Sequence, residues 1–154
     1  MIIIGDHPLT IREVIRVSKQ KEKCKLGNRA TQKIQESNDR LNTILKTEMP
    51  VYGINTGFGI FSDKKIKKDE IKLLNRNLIL SHAVGTGEPL KQEIIKAAML
   101  VRANTLASGF SGIRFGVVNT IVEAINKDVI PIVPSQGSLG SSGDLCPLSH
   151  MALV

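Results

Sequence analysis

The run Ser135-Gln136-Gly137-Ser138-Leu139-Gly140-Ser141-Ser142-Gly143-Asp144-Leu145 holds residues whose spacing permits an unusual reaction. A stretch so rich in Ser and Gly is most often a linker or a plain turn. Its flanks are not those of a linker. Val129-Ile130-Pro131-Ile132-Val133-Pro134, apolar and stiffened by two prolines, precedes it, and the residues after Asp144 read as the start of a buried helix. Small residues held between apolar segments suit a backbone that bends sharply or is closely approached. Such a bend opens a second possibility beside the plain turn. If the Gly143 amide nitrogen is pressed against the Ser141 carbonyl carbon, a five-membered ring closes with loss of water; a glycine at the attacking position has no Cβ to block the approach. Loss of the Ser142 hydroxyl with its α-proton, as a second water, leaves an exocyclic methylidene. That product is an electrophile, which ordinary side chains do not supply. The neighbouring fold would have to hold the strain. A helix starting near Asp144 would turn its positive end toward the ring and favour electron density arriving there.

Two further residues have chemistry to offer. Tyr52 stands in Val51-Tyr52-Gly53-Ile54-Asn55-Thr56-Gly57-Phe58-Gly59-Ile60-Phe61, a glycine-rich excursion with turns. The glycine spacing resembles a phosphate loop only faintly, because no Lys-Ser/Thr follows. Tyr52 is either a structural loop aromatic or an acid–base group. A phenol, with a reference pKa of about 10, serves as a base only if that value is lowered or the medium is alkaline. His82 falls in register with Ile71, Leu74 and Leu78, on the apolar face of a helix. It is either a satisfied core histidine or a substrate contact.

The elements that position these groups are mainly helical. Ile2–Ile4 is a candidate short strand. Thr10-Ile11-Arg12-Glu13 is a capping box that opens a first helix, with Ile11, Val14, Ile15 and Ser18 at helical spacing. A second helix carries Ala30, Ile34, Leu41, Ile44 and Leu45 on one face and ends before Met49-Pro50. Asp69 is the expected cap of the third, which ends at Gly85-Thr86-Gly87. Pro89 is expected near the first turn of a fourth, with a stripe of Ile94, Ala98, Val101 and Thr105. A fifth begins at Ser111-Gly112-Ile113-Arg114, buries Val117, Val118, Ile121, Val122 and Ile125, and closes at Asn126-Lys127-Asp128. About five amphipathic helices with almost no strand predict a mainly α architecture.

Composition narrows the function classes. The 154 residues are 42% hydrophobic and 23% charged, a globular balance, with 3% aromatics and no Trp. The net charge of +7 invites nucleic-acid binding, but the basic residues are dispersed. The one dense patch, Lys64-Lys65-Ile66-Lys67-Lys68, lacks interleaved aromatics for stacking. Cys24 and Cys146 suggest neither a disulfide framework nor a metal site. Met1–Ile4 is too short for a signal sequence, and no run reaches membrane-spanning length. A reducing, cytoplasmic setting is expected. The apolar pattern through Met151-Ala152-Leu153-Val154 predicts that the polypeptide continues beyond Val154.

Gly140-Ser141-Ser142-Gly143-Asp144-Leu145 with Pro147-Leu148 resembles the signature of the histidine and aromatic amino-acid ammonia-lyases. Tyr52-Gly53-Ile54-Asn55-Thr56-Gly57-Phe58-Gly59 is similar to their second signature, and Ser81-His82-Ala83-Val84-Gly85 and Val101-Arg102-Ala103-Asn104 to two further blocks in the same order. The likeness covers essentially the whole chain, 1–154, and the two main motifs are highly specific together. Ser81-His82-Ala83 most resembles the members that act on histidine.

The resemblance implies the N-terminal helical domain of an ammonia-lyase-like fold, cut before a long central helical bundle, with the ring loop at 135–144. It implies that Ser141, Ser142 and Gly143 cyclise to a methylidene-imidazolone, with no external cofactor and no metal. Tyr52 would remove the β-proton; His82 and Gly59 would lie against the substrate, L-histidine, which would yield trans-urocanate and ammonia. Tyrosine or phenylalanine ammonia-lyases and related aminomutases are the alternative within the family. The implied assembly is a homotetramer whose sites draw on several subunits. Nucleic acid and membrane are not expected partners. The 154 residues alone would form a catalytically incompetent helical fragment, since half a site cannot preorganise a transition state. The family's usual first ring residue is Ala; here it is Ser141, whose side chain only decorates the ring, and register with Gly143 selects Ser142 for dehydration.

Overall fold

A computed structural model describes residues 1–47, 49–57, 66, 70–140 and 143–154. The chain divides into two units, Met1–Asn42 with Leu90–Pro131, and Thr43–Pro89 with Ile132–Val154. It is mainly α, with six helices among the described residues.

In the first unit, β1 (Ile2–Ile4) and β2 (Cys24–Leu26) pair in parallel, Ile2 opposite Cys24 and Ile4 opposite Leu26. A parallel pair needs a crossover, and α1 (Ile11–Ser18) lies on it. The predicted capping box opens that helix: Glu13 N donates to Thr10 Oγ1 at 3.3 Å, and Thr10 N to Glu13 Oε2 at 2.9 Å. The Thr10 amide, followed by His7, holds the Glu13 carboxyl down at about 2. The second helix, α2 (Asn28–Lys46), buries Ala30 and Ile34 as predicted, leaves Leu41 and Leu45 half-buried, and exposes Ile44.

The fourth helix of the chain corrects two expectations. Helix α4 (Gln92–Ala107) starts after Pro89, which instead ends a strand. Its predicted stripe is exposed at Ile94, Ala98, Val101 and Thr105, whereas Ile95, Met99, Leu100, Ala103 and Leu106 are buried. Two apolar rows run along this helix with the same period, so periodicity alone cannot choose between them. Packing against α1 and α5 makes the choice.

Helix α5 (Phe115–Asn126) buries Val118, Val122 and Ile125, leaves Ile121 half-buried, and exposes Val117. It starts four residues later than the Ser-Gly-Ile-Arg signal predicts. The backbone of Gly112 is already committed: its N–H donates to Ser37 Oγ at 3.0 Å and its carbonyl accepts from Asn38 Nδ2 at 2.7 Å. After α5, buried Lys96 meets Asp128 at 2.5 Å, and Lys21 reaches the same carboxylate at 3.0 Å. Both lysines, Lys96 first, pull that carboxyl down to about 2. Cys24 is a free, buried thiol pushed up to about 11 by its burial.

In the second unit, α3 (Ile71–His82) packs against α6 (Leu145–Ala152). Its stripe of Ile71, Leu74, Leu78 and His82 is half-buried throughout. Glu70 precedes this helix without a side-chain cap, and Asp69 lies outside the described residues. β3 (Thr86–Pro89) and β4 (Pro134–Gln136), two strands not foreseen from the sequence, pair antiparallel with Thr86 opposite Gln136 and Pro89 opposite Pro134. Prolines fit the far end of this ladder because neither has an N–H to donate.

Candidate active site

Tyr52, His82 and Gly143 all belong to the second unit. Ser141, Ser142 and Gly59 lie outside the described residues, as do Lys64, Lys65, Lys67 and Lys68 of the basic patch.

Tyr52 rides on a braced turn. Ile54 N and Asn55 N both donate to Val51 O, at 3.1 and 3.3 Å, and Gly53 has φ +74. Asn55 is buried and ties the turn from inside: its Oδ1 accepts from Val51 N at 2.7 Å and its Nδ2 donates to Met49 O at 2.9 Å. Its own carbonyl accepts from Ile66 N at 2.9 Å. This side chain thus does locally what a backbone ladder does elsewhere. The tyrosine itself is 64% exposed. The sequence singled out the motif but not Asn55 as the residue that holds it; an Asn within a glycine-rich turn was the available signal.

His82 closes α3. Its Nδ1 lies 2.7 Å from the carbonyl of Leu78 and 3.1 Å from Ser81 Oγ, and that hydroxyl also donates to Leu78 O at 3.0 Å. A carbonyl only accepts, so Nδ1 carries the proton. In the neutral ring Nε2 is then the acceptor. The histidine is oriented by its own helix, with one nitrogen left for another group.

The described ends of the ring segment are bent. Gly140, Gly143 and Asp144 have φ of +68, +78 and +55. Ser138 Oγ donates to Asp144 Oδ1, and Gly140 N to Ser138 Oγ at 3.1 Å, so the two sides of the segment are laced together. Gly143 is exposed, with nothing within 4 Å of where a side chain would begin. Asp144 stands at the start of α6 without a side-chain cap to that helix, and Pro147 has no amide proton. The amides of Leu145 and Cys146 form the helix's positive end next to Gly143.

A contact absent from the sequence reading ties these pieces. Gly85 N donates to His150 Nε2 at 2.9 Å, joining the stretch just after His82 to α6. A methyl on Gly85 would come within 3.0 Å of that nitrogen and 3.1 Å of Gln136 O. At Gly137, with φ +145, a side chain would collide with Cys146 Sγ. The position of His150, on the face that also carries buried Cys146, was the signal available in the sequence.

The family model described as aromatic amino acid lyase matches residues 9–154. A histidine ammonia-lyase of Caldanaerobacter subterraneus subsp. tengcongensis is 46% identical over 153 residues, 99% of this chain and 30% of that protein. The crystal structure of histidine ammonia-lyase from Trypanosoma cruzi is similar with a TM-score of 0.87 and 33% identity, over 99% of this chain and 29% of that one. Tyrosine aminomutase from Streptomyces globisporus is similar with a TM-score of 0.91 and 30% identity, over 98% and 28%. The chain thus spans about 30% of the length of the curated relatives it matches.

Proposed function

The chain belongs to the aromatic amino acid lyase family, and from that premise we propose that it is part of the lyase domain of a histidine ammonia-lyase. The reaction is elimination of ammonia from L-histidine to give trans-urocanate. The identity to histidine ammonia-lyase, 46% against 30% for the tyrosine aminomutase, carries this reading.

In this reading Ser141, Ser142 and Gly143 form a methylidene-imidazolone. The open, left-handed backbone at Gly143 and the positive end of α6 support that assignment. The group supplies an electrophilic carbon in a chain that otherwise has none. Tyr52 takes the β-proton of the substrate. The Cβ–H and Cα–N bonds break, the pair from the former becomes the Cα=Cβ bond, and the amine leaves as ammonia. His82 Nε2 accepts a hydrogen bond from the substrate's imidazole N–H, because its own Nδ1 proton is spent on Leu78. Gly59, in the second motif, is assigned to substrate binding. The reading brings with it a homotetramer in the cytoplasm, with no external cofactor or metal and no nucleic-acid or membrane partner.

The closeness of the fold to tyrosine aminomutase supports a second reading, a tyrosine or phenylalanine ammonia-lyase or aminomutase. A substrate panel on the protein expressed from its complete gene decides. L-Histidine should give urocanate and an equal amount of ammonia. Coumarate, cinnamate or a β-amino acid from tyrosine or phenylalanine, with no urocanate from histidine, would sink the first reading.

A further inference from the structure

We infer that His150 is a positioning residue for closure of the ring, acting as the acceptor that pins the base of the ring-forming loop. The inference rests on the assignment of that ring to Ser141, Ser142 and Gly143. Closure requires one new bond, from the Gly143 nitrogen to the Ser141 carbonyl carbon, with departure of one water. The Ser142 hydroxyl and α-proton leave as the second. The reacting atoms meet only if the chain on both sides is held in place, because a loose Ser/Gly segment spreads over many conformations.

Four contacts close the base of this loop. On the incoming side, β4 pairs with β3, and Gly137 presses its backbone against Cys146 Sγ on the outgoing side. The bare Cα of Gly85 fits into the same corner, 3.2 Å from where a side chain at Gly137 would begin. His150, one turn beyond Cys146 on α6, then accepts the Gly85 amide proton at 2.9 Å. Above this base, Ser138 and Asp144 bind across the loop. The Gly85 amide is one point at which the start of β3 is fastened to the helix that follows the ring. Gly85 lies three residues after His82, so the same bond holds the candidate substrate contact in register with the ring segment. An acceptor atom at this position is what the geometry requires; bulk alone leaves the Gly85 N–H unpaired.

The test follows ring closure by intact mass against time, in protein expressed from its complete gene, with circular dichroism as the check on folding. Wild type should lose two waters. His150→Gln, whose Oε1 can take the place of Nε2, should lose them at nearly the same pace. His150→Leu fills the space without an acceptor and should close about tenfold or more slowly, so that the unmodified mass dominates. Closure of folded His150→Leu at the wild-type pace overturns the inference, as does a Gln variant as slow as Leu. Should the Leu variant not fold, His150→Asn replaces it. Its amide stops one bond short of Gly85, so it should lag behind Gln, and equal rates for the two overturn the inference. A wild-type protein that keeps its full encoded mass defeats the ring assignment itself and this inference with it. A wild type that closes beside an equally fast Leu variant defeats only the role of His150.

Discussion

Tyr52 and His82 are held by different means, and their substitutions should fail differently. Tyr52 is presented by a turn whose brace is Asn55, so Tyr52→Phe removes the proposed proton acceptor and keeps that brace. Turnover should fall by about 10²–10⁴, the scale of a single acid–base group, while the two-water mass loss persists. Steady-state kinetics with intact mass on the same sample checks both halves. His82 is oriented through Leu78, and its loss should act on discrimination. His82→Leu should lower kcat/KM for histidine by about 10- to 200-fold, with a smaller change for phenylalanine. The ring serines separate in the same way: Ser141→Ala should keep turnover and Ser142→Ala should abolish it. The sequence made these residues legible through motif context. It did not reveal the tautomer of His82 or the acceptor role of His150, because both depend on partners that only the folded chain brings near.

At the scale of elements, the helices were readable where a cap marks the start, as in α1, or where one face is clearly apolar, as in the first half of α2; in α1 the expected Ile11 and Ile15 are exposed and Val17 is buried instead. They were misread where local signals compete with tertiary partners. Gly112 looked like a helix start until Ser37 and Asn38 claimed its backbone. Two equal apolar rows on α4 left the buried face undetermined until α1 and α5 packed against one of them. The β3–β4 pair is too short and too rich in Gly and Pro to announce itself. Asn55→Ala should destabilise the second unit by about 1–3 kcal/mol, by leaving Val51 N and Met49 O without their partner, as denaturant unfolding would measure.

The Lys96–Asp128 pair gives the first unit an acid-side dependence. The carboxyl sits at about 2 in the fold against an ordinary 3.8. Its contribution is therefore present above about pH 4 and is lost as pH falls toward about 2. Asp128→Asn should be less stable than wild type at neutral pH, with the gap narrowing through that acid range. A gap constant with pH would contradict the pairing.

Across the whole molecule, the family and the mainly α architecture were legible because two specific motifs and the helical periodicities agree. The candidate site was proposed from the sequence as a set of residues but not as an assembly, since Tyr52, His82 and Gly143 are joined through turns and pairings made by residues the motifs do not name. All three lie on segments of one unit, and the tie between β3 and α6 runs through the Gly85–His150 bond. The proposed chemistry depends on the conversion of a serine–glycine bend into an electrophile. Mass spectrometry of the peptide spanning residues 138–146, released from protein expressed from its complete gene, tests that claim most directly. The account predicts a peptide lighter than its encoded mass by two waters, with the loss mapped to Ser141, Ser142 and Gly143. A peptide at its full encoded mass, from protein that releases ammonia from L-histidine, would contradict it.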